Sequence, residues 1–131
     1  MATALKVNWS FTSQIDGGPQ LSASQPSIDV SAYDYLKQVL PAPAPGGSTV
    51  TDVHLQPNTV AKMVAILADK YSTKVTYQVD GAAPDRVLDG PHVFLGAGAV
   101  GFMSAGNPQK LTFTNSSTDA VTVQVFVGRA A

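Results

Sequence analysis

The sequence predicts an all-β fold: a single-domain antiparallel β-sandwich, jelly-roll-like, with eight or nine short strands and little helix. Apolar and polar residues alternate with a period of two in several stretches, as strands with one buried side do. Turn signals recur about every 8 to 12 residues, the spacing of a sandwich. All nine acidic residues are aspartate, a turn former, and glutamate, a helix former, is absent.

The clearest strand signals are four alternating stretches, at residues 5–11, 75–79, 111–114 and 121–127. In the first of them Leu5, Val7, Trp9 and Phe11 alternate with polar residues. We therefore expect the apolar side of each stretch, including Trp9, to face the core.

Three other segments carry weaker signals. Residues 20–30 predict an extended stretch, which Pro26 confines to a sheet edge or a bulge. Residues 32–40 fit both an alternating strand and a short helical turn, and stay unassigned. Residues 60–68 fit a strand or one face of a helix, and we favour a strand because the rest of the chain is β.

Turns and one loop divide the strands. Asp16-Gly17, Asp80-Gly81 and Asp89-Gly90 are pairs at which a strand should reverse. Residues 41–48, with Pro41, Pro43 and Pro45, predict an extended surface segment. It is either a connector, which we favour, or an arm that grips a partner. Nothing divides the chain, so residues 1–131 are expected to form one domain.

The composition excludes several classes of function. The net charge is −1 and the eight basic residues are scattered, so we expect no nucleic-acid binding. No basic leader with an apolar stretch is present, and no apolar run is long enough to span a membrane. Cysteine is absent. The sequence thus predicts a soluble protein, made in the cytoplasm, that binds no membrane.

The motifs that could carry chemistry are weak. The G-x-G-x-x-G pattern at 96–101 follows a strand signal, but Gly106, Asn107 and Pro108 would end any helix after one turn, which disfavours a dinucleotide site. Neither of the two histidines, His54 and His92, lies directly beside an acid or a second nitrogen ligand in sequence. We therefore predict no metal site and no cofactor.

Two further possibilities depend on aspartates and aromatic residues. The aspartates at 80, 85 and 89 could hold a cation, but their turn positions already explain them. Aspartates at turns are poor general acids, so we predict that the protein is not an enzyme. Aromatic residues could form a sugar-stacking platform; they are Trp9, Tyr33, Tyr35, Tyr71 and Tyr77.

Residues 53–129 contain the segments LQPNTV (55–60), VTYQVDG (75–81), VLDGP (87–91) and LTFTN (111–115), followed by the strand at 121–129. In this succession of strand and turn segments the chain resembles small virion structural proteins of tailed bacteriophages, above all capsid decoration or cement proteins. The resemblance implies a β-sandwich that binds the outer shell as an oligomer, with a trimer favoured. It also implies a virion location after synthesis in the host cytoplasm.

The partner that the resemblance implies is the major capsid protein or another virion protein. Binding through an arm or an apolar strip gives a candidate interface at three places. The candidate residues are Met1, Ala2, Thr3, Ala4, Pro41, Pro43, Pro45, Gly96, Gly98, Phe102 and Met103. The alternative is a carbohydrate- or receptor-binding module of a phage tail or spike, which would use exposed aromatic residues.

Overall fold

A computed structural model describes residues 5–24, 27–55, 60–103 and 108–130 of the 131-residue chain. Within these ranges the chain forms twelve strands and one short helix. They are β1 (Leu5–Val7), β2 (Phe11–Gln14), β3 (Gln20–Ala23), β4 (Ile28–Val30), β5 (Ala32–Leu40), β6 (Thr49–His54), β7 (Ala61–Ala68), β8 (Val75–Val79), β9 (Ala82–Val87), β10 (His92–Leu95), α1 (Ala97–Val100), β11 (Lys110–Asn115) and β12 (Val121–Arg129).

The strands from β5 to β12 form two four-stranded antiparallel sheets. The first sheet has the order β10-β7-β12-β5, and the second has the order β6-β11-β8-β9. Side chains of both sheets meet in one buried cluster. The predicted antiparallel β-sandwich is therefore confirmed. No helix in the described ranges is long and apolar enough to cross a membrane.

The period-two pattern places the core. On β12 every second residue from Val121 to Val127 is buried, and β8 buries Val75, Tyr77 and Val79 in the same way. The alternation predicted these strands correctly. Residues 60–68 form strand β7, as favoured, and the unassigned segment 32–40 forms β5, which pairs with β12 along nine residues.

The prediction that residues 5–11 form a core strand is wrong. Leu5 is 41% exposed and Phe11 is 53% exposed, while Trp9 is half-buried between β1 and β2 and is not a core residue. Strand β1 pairs with β4, and β2 pairs with β3. The alternating pattern shows that one side of this segment is apolar, but the sandwich does not bury that side.

The turn-forming pairs have two outcomes. Asp80 and Gly81 both adopt positive φ, 54° and 72°, and close a two-residue hairpin between β8 and β9 as predicted. Gly17 also has positive φ, in the turn between β2 and β3. Asp89-Gly90 instead links β9 of the second sheet to β10 of the first. That pair marks a crossing between the sheets rather than a hairpin.

Candidate docking surfaces

The outer side of the first sheet carries a row of apolar residues that crosses all four strands. The pairing register aligns Val93 on β10, Ala65 on β7, Phe126 on β12 and Tyr35 on β5. Residues aligned across neighbouring strands point to the same side of a sheet, and their neighbours along the two central strands, Ile66 and Val125 among them, are buried in the core. The row therefore lies on the outside of the sandwich.

Further apolar side chains extend this row. Tyr33 stacks on Phe126, with ring centroids 5.5 Å apart and an interplanar angle of 20°. Tyr33, Tyr35, Val39 and Val93 are each exposed by half or more, and Leu67 by 39%. We call this surface the apolar face; it comprises Tyr33, Tyr35, Val39, Ala65, Leu67, Val93 and Phe126.

The outer side of the second sheet differs in chemistry. There the Thr112 hydroxyl donates to Asp52 at 2.9 Å, and the Gln78 amide donates to Asp85 at 2.7 Å. Thr76 and Thr114 lie side by side in the pairing register between these strands. Val50 and Val87 are the exposed apolar residues described on this side. Among the described residues, the two faces of the sandwich are therefore unequal: this one is mostly polar and the other is mostly apolar.

The second apolar surface belongs to a hairpin outside the sandwich. Strands β2 and β3 pair from Phe11 with Ala23 to Gln14 with Gln20, and no side chain from residue 11 to 23 is buried. The register places Phe11 and Leu21 on one side together with the small residues Ser13 and Ala23, and Ile15 follows β2 directly at the turn. The other side is entirely polar; its residues are Thr12, Gln14, Gln20 and Ser22. We call residues 11–23 the arm, and Phe11, Ile15 and Leu21 its apolar side.

The arm is joined to the sandwich by the pairing of β1 with β4, which is anchored on the first sheet. The Lys62 Nζ donates to the Asp29 carbonyl at 3.0 Å, and the Ser31 amide donates to the Arg129 carbonyl at 2.7 Å. Val30 is buried, with its Cγ1 close to the backbone of Gly128. This base fixes where the arm begins.

Residues Met1, Ala2, Thr3 and Ala4, predicted as an interface, lie outside the described residues. Pro41, Pro43 and Pro45 lie in the loop between β5 and β6, where Pro43 is half-buried and the other two are exposed. Two hydrogen bonds hold the Pro41 carbonyl, from Thr49 Oγ1 at 2.7 Å and Asn115 Nδ2 at 3.2 Å. This end of the loop is thus fastened to its own chain.

The predicted interface at Gly96, Gly98, Phe102 and Met103 divides between surface and core. Gly96 precedes α1 with φ of 95°, and Gly98 is exposed within that single helical turn. Phe102 is 83% exposed, but Met103 is 2% exposed and packs in the core. Phe102 is therefore available to a partner, and Met103 is not at the surface of this chain.

The two histidines lie at strand ends, as expected, and one has a partner from the opposite sheet. His92 Nδ1 is 2.6 Å from the hydroxyl of Tyr77, which is a core residue of β8. Burial raises the pKa of Tyr77 to about 12, although the nearby Arg86 charge lowers it in part. The sequence showed no partner for His92 because the two residues belong to different sheets.

The aspartates at 80 and 85 serve local structure. Asp80 Oδ1 accepts hydrogen bonds from the Gln109 and Lys110 amides at 2.8 and 2.9 Å, and Asp85 accepts from Gln78. Across the described part of the chain, no three histidine or aspartate side chains gather as metal ligands would. Their turn and strand roles account for both aspartates.

The sequence did not predict the apolar face as a site, although two signals pointed to it. Tyr33, Tyr35 and Val39 fit an alternating pattern, but their partner strand could not be identified from sequence. Phe126, in a position where Thr122 and Gln124 indicate an outward side, was the second signal. Only the register of β5 on β12 brings these residues together.

A scan against protein-family models and searches of curated proteins and of solved structures found no match.

Proposed function

We propose that this chain is a non-catalytic structural protein of a bacteriophage virion, of the capsid decoration type, which binds the outer shell and stabilises it. The observation that carries the proposal is the pair of exposed apolar surfaces, the apolar face and the apolar side of the arm. Monomeric proteins rarely expose large contiguous apolar patches, and such patches mark interaction sites. A protein that works by docking needs these surfaces and no reactive centre.

The order of the strands adds support. Numbered in chain order from β5, the first sheet contains the first, eighth, third and sixth strands of the sandwich. The second sheet contains the second, seventh, fourth and fifth. This arrangement supports the assignment of a jelly roll, an architecture used by viral capsid proteins, lectins and cupins. Because one architecture serves several functions, the exposed surfaces must carry the functional argument.

In the proposed role, the partner is the major capsid protein or another virion protein, and the protein itself is a homo-oligomer, with a trimer favoured by the resemblance. A shell offers many identical binding positions. Linked copies would therefore bind with avidity even where each contact is modest. In addition to the two apolar surfaces, the proline-rich loop and the exposed Phe102 are candidates for contact with the shell.

The test is binding to shells that lack the protein. Capsids are prepared from a deletion mutant of the phage that lacks the gene for this chain, and the purified protein is added in increasing amounts. We expect co-sedimentation that saturates at a fixed ratio to the major capsid protein, together with greater resistance of the shell to heating. Absence of saturable binding would contradict the proposed function.

A carbohydrate- or receptor-binding module of a tail or spike is the second candidate. The exposed Tyr33 and Tyr35 favour it, because aromatic rings on an open sheet can stack against sugars. Tyr77 is buried and Tyr71 is tied to the Ala68 amide at 3.1 Å, so the platform would consist of β5 residues. Glycan binding that Tyr35→Ala abolishes, with no binding to shells, would favour this function instead.

A further inference from the structure

We propose that the apolar face receives the arm of a second copy of this chain, so that copies of the protein associate by exchanging arms. The inference rests on the proposed function, because it names the contact that would build the oligomer of a structural protein. It is carried by the arm, by the apolar face, and by the part of that sheet which the chain already covers.

The arm by itself lacks the packing that would keep it ordered. Its strands have four residues each, and its side chains are exposed on both sides except for the half-buried Ser13. A two-stranded hairpin is marginally stable in water unless its apolar side packs on something. The alternation in residues 5–11 marks one side of the chain as apolar, and Phe11 on that side is 53% exposed in the part of the chain that the structure describes. In the proposed arrangement a second copy of the chain supplies the cover.

The sheet that carries the apolar face is already contacted by a residue of the β1–β4 pair, which joins the arm to the sandwich. Val30 of β4 lies over Gly128, and Met63 lies beside the same glycine. The next row of the sheet on this side contains Phe126 and Tyr35, and Tyr35 is 53% exposed. The β1–β4 pair thus covers one end of the outer side of the first sheet and leaves the remainder exposed. A second arm with the same apolar chemistry extends this cover without a new kind of contact.

Charge is compatible with self-association. The chain carries a net charge of only −1, so two copies repel each other weakly. Lys37 is exposed on β5 next to Tyr35 and pairs in register with Gln124, while Asp16 is exposed at the turn of the arm. One positive charge beside the apolar face and one negative charge on the arm match each other in sign. Copies joined arm to face in one direction can close into a ring such as a trimer.

The absence of cysteine makes a clean cross-linking test possible. A tagged Leu21→Cys chain is mixed with an untagged Tyr35→Cys chain and treated with a short bis-maleimide. We expect a covalent product that contains one tagged and one untagged chain. The matched control is Val50→Cys, which places an equally accessible thiol on the outer side of the second sheet, where Val50 is 64% exposed. The control chain should give little of the mixed product.

The same experiment separates exchange from folding back. In the double variant Leu21→Cys/Tyr35→Cys, linkage between copies increases the mass, whereas linkage within one chain leaves it unchanged. A product formed only within single chains would overturn the inference, as would equal cross-linking to the Tyr35→Cys and Val50→Cys chains. Arms bound by a different protein would leave the purified chain monomeric and without the mixed product, which also overturns it.

The mass of the protein in solution provides an independent test. Phe11→Asp on the arm and Tyr35→Asp on the apolar face should each weaken self-association about thirtyfold or more, as loss of a central apolar contact does. Val50→Asp should leave it unchanged. Mixing the Phe11→Asp and Tyr35→Asp chains should restore hetero-association, because one chain keeps an intact face and the other an intact arm. Thermal unfolding of each variant shows whether it is folded.

These results distinguish the inference from the proposed function. Parent protein that stays monomeric in light scattering at micromolar concentration, yet binds shells, overturns arm exchange and leaves the structural role. Arm-dependent oligomers that ignore shells support arm exchange and contradict the decoration role.

Discussion

The guanidinium group of Arg129 lies against the carboxylate of Asp34, with Nε 2.9 Å and Nη2 2.8 Å from the same Oδ2. The Arg129 side chain is 2% exposed and that of Asp34 is 21% exposed. Arg129 ends β12, and Asp34 lies on the neighbouring β5. The contact therefore joins β12 to the edge strand β5. It lies where the β1–β4 pair is attached, because the Arg129 carbonyl also accepts from the Ser31 amide.

Loss of the Asp34 carboxylate should destabilise the fold strongly. Asp34→Ala leaves the buried Arg129 without this acceptor, and removing one partner of a buried ion pair typically costs about 3 kcal/mol or more. Urea unfolding measures the change. Lys70→Ala is the control, because Lys70 and Asp119 are exposed and 3.9 Å apart. That change should stay within about 0.5 kcal/mol. Equal effects for the two variants would contradict the role of the buried pair.

Tyr77 should make the protein less stable at high pH. Burial raises the pKa of Tyr77 from its ordinary value of 10.0 to about 12. Below pH 10 the folded and unfolded states both keep the proton, so the free energy of unfolding is unaffected. Between about pH 10 and 12 only the unfolded state releases it, and stability falls by roughly 3 kcal/mol at most.

Tyr77→Phe isolates this effect from the titration of the lysines. At neutral pH the variant loses the hydrogen bond to His92 Nδ1, which should cost about 1 kcal/mol. Between pH 10 and 12, the greater stability of the parent over the variant should shrink and then reverse, because the loss from titration exceeds the contribution of the hydrogen bond. A difference that stays constant over this range would show that Tyr77 does not titrate as its burial implies.

The sequence predicted strands well where the sandwich itself covers one side. Strands β8, β11 and β12 bury every second residue, so their period of two reports the core directly. The same pattern at Leu5 and Phe11 failed to predict the core because periodicity shows that one side is apolar but does not identify what covers it. This failure is informative, since it identifies the exposed apolar residues from which the proposed arm exchange is argued.

Strand order and the apolar face could not be predicted for a different reason. Asp89-Gly90 has the same local chemistry as the hairpin turn at Asp80-Gly81, yet it links two different sheets. Turn residues fix the local backbone, whereas the choice of sheet depends on contacts between distant strands. Tyr35 and Phe126 are 91 positions apart in the chain and meet only through the register of β5 on β12.

Gly128 should be intolerant of any side chain. A Cβ at this position would lie 2.9 Å from both Met63 Cγ and Val30 Cγ1, so at least one of them must move. Gly128→Ala should cost about 1 to 3 kcal/mol through overpacking. It should also speed hydrogen exchange of the Ser31 amide, which donates to the Arg129 carbonyl next to it.

Gly90→Ala is the matched control for Gly128→Ala. No atom lies within 4 Å of a Cβ added at Gly90, and its φ is not positive. This change should leave the free energy of unfolding and the Ser31 exchange rate close to those of the parent. If both alanine variants behaved alike, the close packing of Val30 on the sheet would not be the cause.

Asn115 should be essential for fastening the proline-rich loop. Its fully buried side chain donates to the Asp119 and Pro41 carbonyls at 2.8 and 3.2 Å, and its Oδ1 accepts from the Ser117 amide and hydroxyl. Asn115→Ala leaves these groups without that partner and should cost about 3 kcal/mol in urea unfolding. Thr112→Ala removes one hydrogen bond from a more exposed side chain and serves as control.

The same variant decides between the two interpretations of the loop at 41–48. If the loop is a connector, Asn115→Ala lowers stability and increases cleavage of the loop by proteases, while self-association and binding to shells persist at temperatures where the variant is folded. If the loop grips a partner, binding to shells falls together with the loop's order, even where the circular dichroism spectrum matches that of the parent. None of the hydrogen-bond partners described for Asn115 belongs to the arm or to the apolar face. The effect of Asn115→Ala on binding to shells therefore reports on the loop separately from arm exchange.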